Sequence, residues 1–187
     1  MSKNHKYYQR KPNEHGGGAK TNDNGLRFED RTNLINTLDL HPDIEIVDGN
    51  KIYHCKRFQG YYTEKHKYYS EFLQPKLNFK DLHWNEFVSK KYLPDSVIVN
   101  ENTKKVFIIE KKYQARSGSV DEKLQTCDFK KGVYSKMNDA VGYSTEYFYL
   151  LNSWYTHEQY NDVKEYIHAV GCKYFINHID FEEFEFI

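Results

Sequence analysis

One short stretch of the chain constrains its fold and its chemistry more than any other. Residues 94–112 read PDSVIVNENTKKVFIIEKK, which places Asp95, Glu110 and Lys112 at the ends of two apolar runs. Both runs are rich in β-branched and aromatic residues, and the polar ENTK between them is typical of a hairpin loop. The stretch therefore predicts an antiparallel hairpin that carries three charged side chains among hydrophobic ones.

The spacing of this hairpin predicts which side chains face each other. If Asn100 pairs with Lys105, paired residue numbers sum to 205 and Asp95 lies opposite Glu110. Directly opposed Cβ atoms in an antiparallel pair are roughly 4.5–5.5 Å apart. Lys112 shares the face of Glu110, because side chains two residues apart in a strand point the same way. Apolar residues on both faces predict central strands that are covered on both sides.

Charged groups in such a hairpin need a partner, because burying an unpaired charge costs several kcal/mol. Two neighbouring carboxylates suit Mg²⁺, which keeps several waters and takes one or two protein carboxylates together with substrate phosphate. The ion would polarise a phosphodiester and activate a bound water. Lys112 would position that water, help to deprotonate it, or balance charge in the transition state. The alternative is an ordinary cross-strand network of acids and lysines on a solvated sheet face.

Pro94-Asp95 followed by Glu110-Lys111-Lys112 resembles the signature of the PD-(D/E)XK nuclease superfamily. The resemblance implies a metal-dependent DNA endonuclease, most often a type II restriction enzyme, with the restriction-endonuclease-like α/β core. It implies that Asp95, Glu110 and the backbone carbonyl of Lys111 hold Mg²⁺, for which Mn²⁺ would substitute. It further implies that Lys112 serves the attacking water, so that Asp95, Glu110 and Lys112 are the catalytic residues.

Composition places the chain among single-domain proteins of a reducing compartment. Its 187 residues suffice for one core, and its 17 Tyr and 12 Phe compensate for a modest aliphatic content. No apolar run reaches the length of a membrane span, and residues 1–18 lack the apolar centre of a secretory signal. Three widely spaced cysteines argue against a disulfide framework, so we expect a cytoplasmic location. The nine histidines show no metal-site spacing, which disfavours a zinc or histidine-metal enzyme.

The charge of the chain is balanced overall but segregated along the sequence. Residues 1–20 carry five basic and one acidic residue (+4), residues 51–93 nine and four (+5), and residues 101–136 nine and five (+4). Residues 142–187 carry two basic and eight acidic residues (−6). A protein with a basic face towards DNA phosphates and an acidic opposite face would bind DNA although its net charge is zero. The alternative is that this segregation does not survive folding.

The chain divides into a polar basic arm, residues 1–24, and a single domain, residues 25–187. A helix is expected from Leu26 to Leu38, capped by Asn24, and a hairpin follows with its turn at residues 48–50. Residues 60–92 favour two helices separated by Pro75, although their aromatic clusters equally support strands. Their mixed lysines and tyrosines predict a DNA-contacting insertion; the alternative is an aromatic core with surface lysines.

The second half of the chain alternates between helical and strand patterns. A capping box of the S-x-x-E form at residues 119–122 predicts the start of a helix. Residues 146–152 predict a buried strand, residues 156–170 a helix that ends at Gly171, and residues 172–177 a last strand. This order predicts an α/β fold, in which a mixed β-sheet is flanked by α-helices.

Several further residues are candidates for supporting the metal or for binding phosphate. Glu29, on the predicted first helix, would support the metal site. Gln114 lies two residues beyond Lys112 and would bind phosphate or water. The remaining candidates sit around the start of the helix that follows the motif, where backbone N–H groups favour anions: Arg116, Ser119, Lys123 and Gln125. The alternative for each is an ordinary solvated side chain or a plain loop.

Together these features predict a Mg²⁺-dependent endonuclease for double-stranded DNA, foremost a type II restriction enzyme. Cutting both strands with so small a chain favours a homodimer, and a restriction enzyme would be accompanied by a DNA methyltransferase. No membrane partner is expected. One alternative is a structure-specific, repair or nicking nuclease of the same fold. Another, from a different class, is a non-catalytic DNA- or protein-binding module.

Overall fold

A mixed seven-stranded β-sheet forms the centre of the protein. The computed structural model describes residues 27–28, 32, 34–115 and 120–187. The strands are β1 Ile44–Val47, β2 Lys51–His54, β3 Arg57–Thr63, β4 Ser96–Asn100, β5 Lys105–Lys112, β6 Ser144–Leu151 and β7 Lys173–Ile176. They lie side by side in chain order: β1 to β5 are antiparallel neighbours, and β5, β6 and β7 are parallel.

Helices connect the strands and cover the sheet. Their bounds are α1 Leu34–Asp39, α2 over residues 65–78, α3 Val120–Leu124, α4 Cys127–Ala140 and α5 Asn161–Ala169. Parallel neighbours need a crossover connection: α3 and α4 lead from β5 to β6, and α5 leads from β6 to β7. Short 3-10 turns occur at Trp84–Glu86, Ser153–Thr156, Glu158–Tyr160 and Phe181–Phe184. The predicted α/β class, with a mixed sheet flanked by helices, is confirmed.

Hydrophobic side chains pack on both faces of the β4–β5 hairpin. On one face Val97, Val99, Val106 and Ile108 join the side chains of α2 and α4, including Tyr68, Leu73, Tyr134 and Met137. On the other face Ile98, Phe107 and Ile109 pack with α1 and with Phe184 near the C-terminus. The hairpin therefore consists of central strands covered on both sides, as its sequence predicts.

The predicted register of this hairpin is confirmed for all five residue pairs of the strand ladder. The paired residues run from Asn100 with Lys105 to Ser96 with Ile109, so each pair sums to 205. The first hairpin, β1–β2 with its turn at residues 48–50, is also confirmed. The strand expected at 146–152 and the last strand occur as predicted, with shifts of one or two residues in their ends. The helix expected at 156–170 begins only at Asn161, because 3-10 turns occupy the residues before it.

Two predictions about helices are wrong. The helix expected from Leu26 to Leu38 is interrupted, because Thr32 lies in a turn and α1 begins only at Leu34. Residues 61–63 belong to β3, where aromatic and β-branched side chains fit the pleated sheet. The expected break at Pro75 is absent, because the chain widens into a π-helical turn, Tyr68–Leu73, before the proline and so accommodates a residue without an N–H group. Residues 82–93 form only a 3-10 turn and extended chain.

The predicted arm at residues 1–24 lies outside the described residues. Among the helices that the structure describes, none has the length and apolar character required to cross a membrane.

Substitution of Gly60 tests the register of β3 against its neighbours. Gly60 has a φ of +154°, and a Cβ atom there would come within 1.7 Å of the Val99 carbonyl oxygen. Gly60→Ala should therefore lower the free energy of unfolding by at least about 2 kcal/mol in urea denaturation. Gly132→Ala is the control: it lies in α4 with nothing within 4 Å of the added methyl group. That change should stabilise the protein by about 0.5–1 kcal/mol, and equal effects of the two substitutions would contradict the register.

Candidate active site

The end of the β4–β5 hairpin holds Asp95 in a defined position. The strand ladder stops at Ser96, one residue short of Asp95, so the expected pairing of Asp95 with Glu110 is not a rung of the ladder. Instead, Asp95 Oδ2 accepts a hydrogen bond of 2.8 Å from the backbone N–H of Lys111. The preceding Pro94 carbonyl accepts another, also 2.8 Å, from the N–H of Lys65 at the start of α2. These two bonds fix the Pro94-Asp95 turn between β5 and α2.

Glu110 is the centre of the charged cluster. Its side chain is almost completely buried, and its Oε1 accepts hydrogen bonds from two ammonium groups, Lys112 Nζ at 2.7 Å and Lys130 Nζ at 2.7 Å. Lys112 therefore shares the side of Glu110, as the strand spacing predicts. Lys130 comes from α4 and was not a sequence candidate. A buried carboxylate between two cations is stable because each ammonium offsets part of its desolvation.

The two lysines determine the protonation of Glu110. Burial raises the pKa of this carboxyl group, but the charges and hydrogen bonds of Lys112 and Lys130 outweigh burial and hold the pKa below its usual value. Glu110 is therefore ionised at neutral pH and keeps its capacity to bind a cation.

Two of the three groups expected to hold a metal, the Glu110 carboxylate and the Lys111 carbonyl, already contact one positive charge. Lys112 Nζ donates to Glu110 Oε1 at 2.7 Å and to the Lys111 carbonyl oxygen at 3.1 Å. The same peptide presents its N–H to Asp95, so both carboxylates and this carbonyl are tied to the Glu110–Lys112 segment. Within the described ranges no group of three or more His, Cys, Asp or Glu side chains is arranged to hold a metal. Two carboxylates and one carbonyl are a donor set that fits Mg²⁺, which prefers oxygen ligands and retains waters.

Several residues near this cluster were missed by the sequence analysis. The charges of Glu110 and Asp95 both act on the buried Tyr134, adding to burial in raising its pKa. Tyr134 lies four residues after Lys130 on α4. This spacing places both side chains on one face of the helix, and it is the sequence feature from which their proximity could have been predicted. On the β3 side, the Tyr62 hydroxyl donates to Glu64 Oε2 at 3.0 Å and lies 3.3 Å from Ser96 Oγ. Burial raises the pKa of Tyr62, and the charges of Glu64 and Asp95 raise it further.

Glu64 adds a third carboxylate to the neighbourhood of Asp95. It follows β3 directly, and the next residue donates its N–H to Pro94. A cleft of about 410 Å³ opens beside it, lined by residues of the β1–β2 turn, the end of β3 and α2: Ile35, Asp48, Gly49, Asn50, Tyr62, Thr63, Glu64, Lys67 and Glu71. No periodicity in the sequence indicates this proximity, because it depends on the pairing of β3 with β4.

The remaining sequence candidates have different positions. Gln114 is buried just beyond β5, and Asn152 holds its backbone through bonds to both the N–H and the carbonyl. Lys123 and Gln125 are exposed at the end of α3, where the Lys123 carbonyl accepts bonds from Tyr149 and Thr126. Three candidates lie outside the described residues: Glu29, Arg116 and Ser119. The predicted roles of all these residues stay predictions.

Comparison with known protein families identifies one match. Residues 48–138, just under half of the chain, match the family model described as the PD-(D/E)XK nuclease superfamily domain. This region contains the whole charged cluster, and the seven-stranded mixed sheet with its flanking helices is consistent with that domain. The match supports a nuclease, and thus a hydrolase. Neither a curated protein nor a solved structure matches the chain significantly.

Replacement of Lys130 tests the electrostatics of the cluster. Lys130→Met removes one ammonium from Glu110, so the pKa of Glu110 should rise and the free energy of unfolding at neutral pH should fall by about 1.5 kcal/mol. Because the pKa of Glu110 is lowered in the folded protein, its stabilising contribution is present above the usual carboxyl pKa and is lost as the pH falls through the lowered value. The difference between wild type and Lys130→Met should therefore shrink in acid.

The measurement is urea denaturation at a series of pH values. Lys136→Met, on an exposed position of the same helix, is the matched control and should change stability little at any pH. A Lys130→Met effect that is equally large in acid and at neutral pH would show that the lysine acts through packing and not through the charge of Glu110.

Proposed function

We propose that the protein is a metal-dependent endonuclease that hydrolyses phosphodiester bonds of double-stranded DNA. The observation that carries this proposal is the ionised Glu110 held beside Asp95 and Lys112 at the end of the central hairpin. The match of residues 48–138 to a PD-(D/E)XK nuclease domain supports the same chemistry. We further propose type II restriction activity, with a homodimer as the active unit and a companion DNA methyltransferase.

Each residue of the cluster has a separate task in this proposal. Asp95, Glu110 and the Lys111 carbonyl would hold Mg²⁺, or Mn²⁺ in its place, which when bound polarises the phosphate and lowers the pKa of a coordinated water. Lys112 would leave Glu110 to orient the attacking water and balance the charge that develops on the phosphate. Lys130 would remain on Glu110 and keep this carboxylate ionised and correctly aimed while Lys112 moves.

A structure-specific nuclease on the same fold is the second candidate. It is favoured by one observation: Phe129, which is 61% exposed, lies directly before Lys130 on α4. An exposed aromatic ring beside a phosphodiester-cleaving site is suited to an unpaired base. Cleavage of plain duplex DNA into a fixed set of fragments would decide for restriction, and preferential cleavage of branched or mismatched DNA would decide for this second candidate.

Isosteric substitutions test the catalytic assignment. Asp95→Asn, Glu110→Gln and Lys112→Met should each reduce the rate of DNA cleavage by at least about a hundredfold, the usual effect of removing one group that stabilises transition-state charge. The assay is cleavage of phage DNA with Mg²⁺, followed by sequencing of the fragment ends, which reports activity, specificity and stagger together.

The hairpin itself supplies a matched control. Glu101, at the opposite end of β4–β5, also accepts hydrogen bonds from two lysines, Lys76 and Lys104. Glu101→Gln removes the charge from a comparable, partly buried cluster of one acid and two lysines at the other end of the hairpin, and it should leave the cleavage rate unchanged. Wild-type cleavage by Asp95→Asn, or an equal loss in Glu101→Gln and Glu110→Gln, would overturn the assignment.

A further inference from the structure

Two exposed lysines, two exposed apolar side chains and a half-buried tyrosine lie beside the candidate active site. They form a surface that we call the aromatic–lysine patch, which consists of Lys90, Lys91, Tyr92, Leu93 and Phe129. Phe129 is 61% exposed and Leu93 is 40% exposed, so both apolar side chains are accessible to a ligand. The Tyr92 and Phe129 rings meet edge to face with their centroids 6.0 Å apart. The patch therefore joins the segment before the motif to the helix after it.

The two segments that form the patch lie close in sequence to residues of the candidate active site. Tyr92 lies three residues before Asp95. Phe129 immediately precedes Lys130, whose ammonium is 2.7 Å from Glu110. A strand bound across the patch would therefore extend towards the carboxylates that would hold the metal ion in the proposed function.

The segment that carries the patch is fixed in place although it has no regular structure. The Tyr69 hydroxyl donates to the Tyr92 carbonyl at 2.9 Å and accepts from the Tyr92 N–H at 2.9 Å, so one buried phenol holds the backbone from both sides. Lys91 Nζ lies over the rings of Tyr69 and Trp84, at 5.3 and 5.1 Å. A surface that is already ordered loses little entropy when a ligand binds to it.

The charges of the patch indicate an anionic ligand. Lys90 Nζ lies 5.2 Å over the half-buried Tyr92 ring, so a cation lies directly beside an aromatic ring on this surface. Lysines interleaved with aromatic rings match the alternation of phosphates and bases along a nucleic acid strand.

We infer that the aromatic–lysine patch binds an unpaired base next to the scissile phosphate, with Phe129 stacking on the base and Lys90 and Lys91 contacting the flanking phosphates. A fully paired base has both faces covered by its neighbours, so only an unpaired or displaced base offers a face to Phe129. This inference rests on the second candidate function, the structure-specific nuclease, and specifies how that nuclease would recognise its substrate: one unpaired base of a duplex or junction lies on the Phe129 ring next to the scissile phosphate.

The test compares two DNA ligands that differ only in pairing. Fluorescence anisotropy in EDTA, which prevents cleavage, would measure the affinity of the full chain for a fluorescein-labelled duplex with one bulged nucleotide and for the fully paired duplex. The wild type should bind the bulged duplex about tenfold more tightly, within the range of one stacked base. Phe129→Leu, which keeps the apolar bulk but lacks a ring face, should abolish this preference. Phe129→Trp should retain it.

Controls separate stacking from general effects. Phe79→Leu changes another highly exposed phenylalanine, at the end of α2, and should leave the preference intact. Lys90→Gln with Lys91→Gln should weaken binding of both duplexes and reduce its salt dependence, whereas Lys136→Gln should not.

The outcomes also distinguish this inference from the proposed function. Equal affinity of the wild type for the two duplexes, or a preference that survives Phe129→Leu, would overturn the inference, while Mg²⁺-dependent cleavage would still uphold the nuclease. A protein that neither binds nor cleaves any DNA would overturn both.

Discussion

The carboxylate of Glu110, held by the ammonium groups of Lys112 and Lys130 at 2.7 Å each, is the interaction on which the account of this protein depends. It lies at the end of a central strand, where an ionised acid without partners would be strongly unfavourable. The two lysines keep it charged, and they come from different elements, β5 and α4. The two hydrogen bonds at Glu110 Oε1 therefore serve both the fold and the candidate chemistry. They stabilise the buried carboxylate, and they keep it in the ionised form that binds a cation.

The sheet and its crossovers explain how these groups come together. The hairpin places Asp95 and Glu110 at one end of β4 and β5, and the parallel pairing of β5 with β6 requires the α3–α4 connection that returns Lys130 to the same end. Aromatic side chains fill the space between α2, α4 and the sheet, among them Tyr68, Tyr69 and Tyr134. Their hydroxyl groups also make hydrogen bonds, as the Tyr69 hydroxyl does with the Tyr92 carbonyl. The core that supports the site therefore also holds the segment before Asp95 in place.

The sequence was most informative where structure is local. The hairpin register follows from a four-residue loop and from alternating side chains, so Asn100 pairs with Lys105 as expected. Contacts between distant segments were not predictable: Lys130 is twenty residues from Glu110, and its approach depends on the path of a whole crossover. The break predicted at Pro75 was wrong because a proline usually ends a helix, whereas here a π-helical turn before the proline accommodates it. The position of Glu64 followed from the pairing of β3, a strand whose aromatic residues also fit a helix.

Anomalous diffraction from crystals of the protein soaked in Mn²⁺ would show directly whether Asp95 and Glu110 bind a metal ion. We predict an anomalous peak bonded to carboxylate oxygens of both residues, at about the 2.0–2.2 Å typical of small divalent cations with oxygen ligands. We also predict that Lys112 Nζ has moved away from Glu110 while Lys130 Nζ remains. A map at saturating Mn²⁺ with no peak at these carboxylates, and with both lysines still on Glu110, would show that the cluster is a structural ion pair and not a metal site.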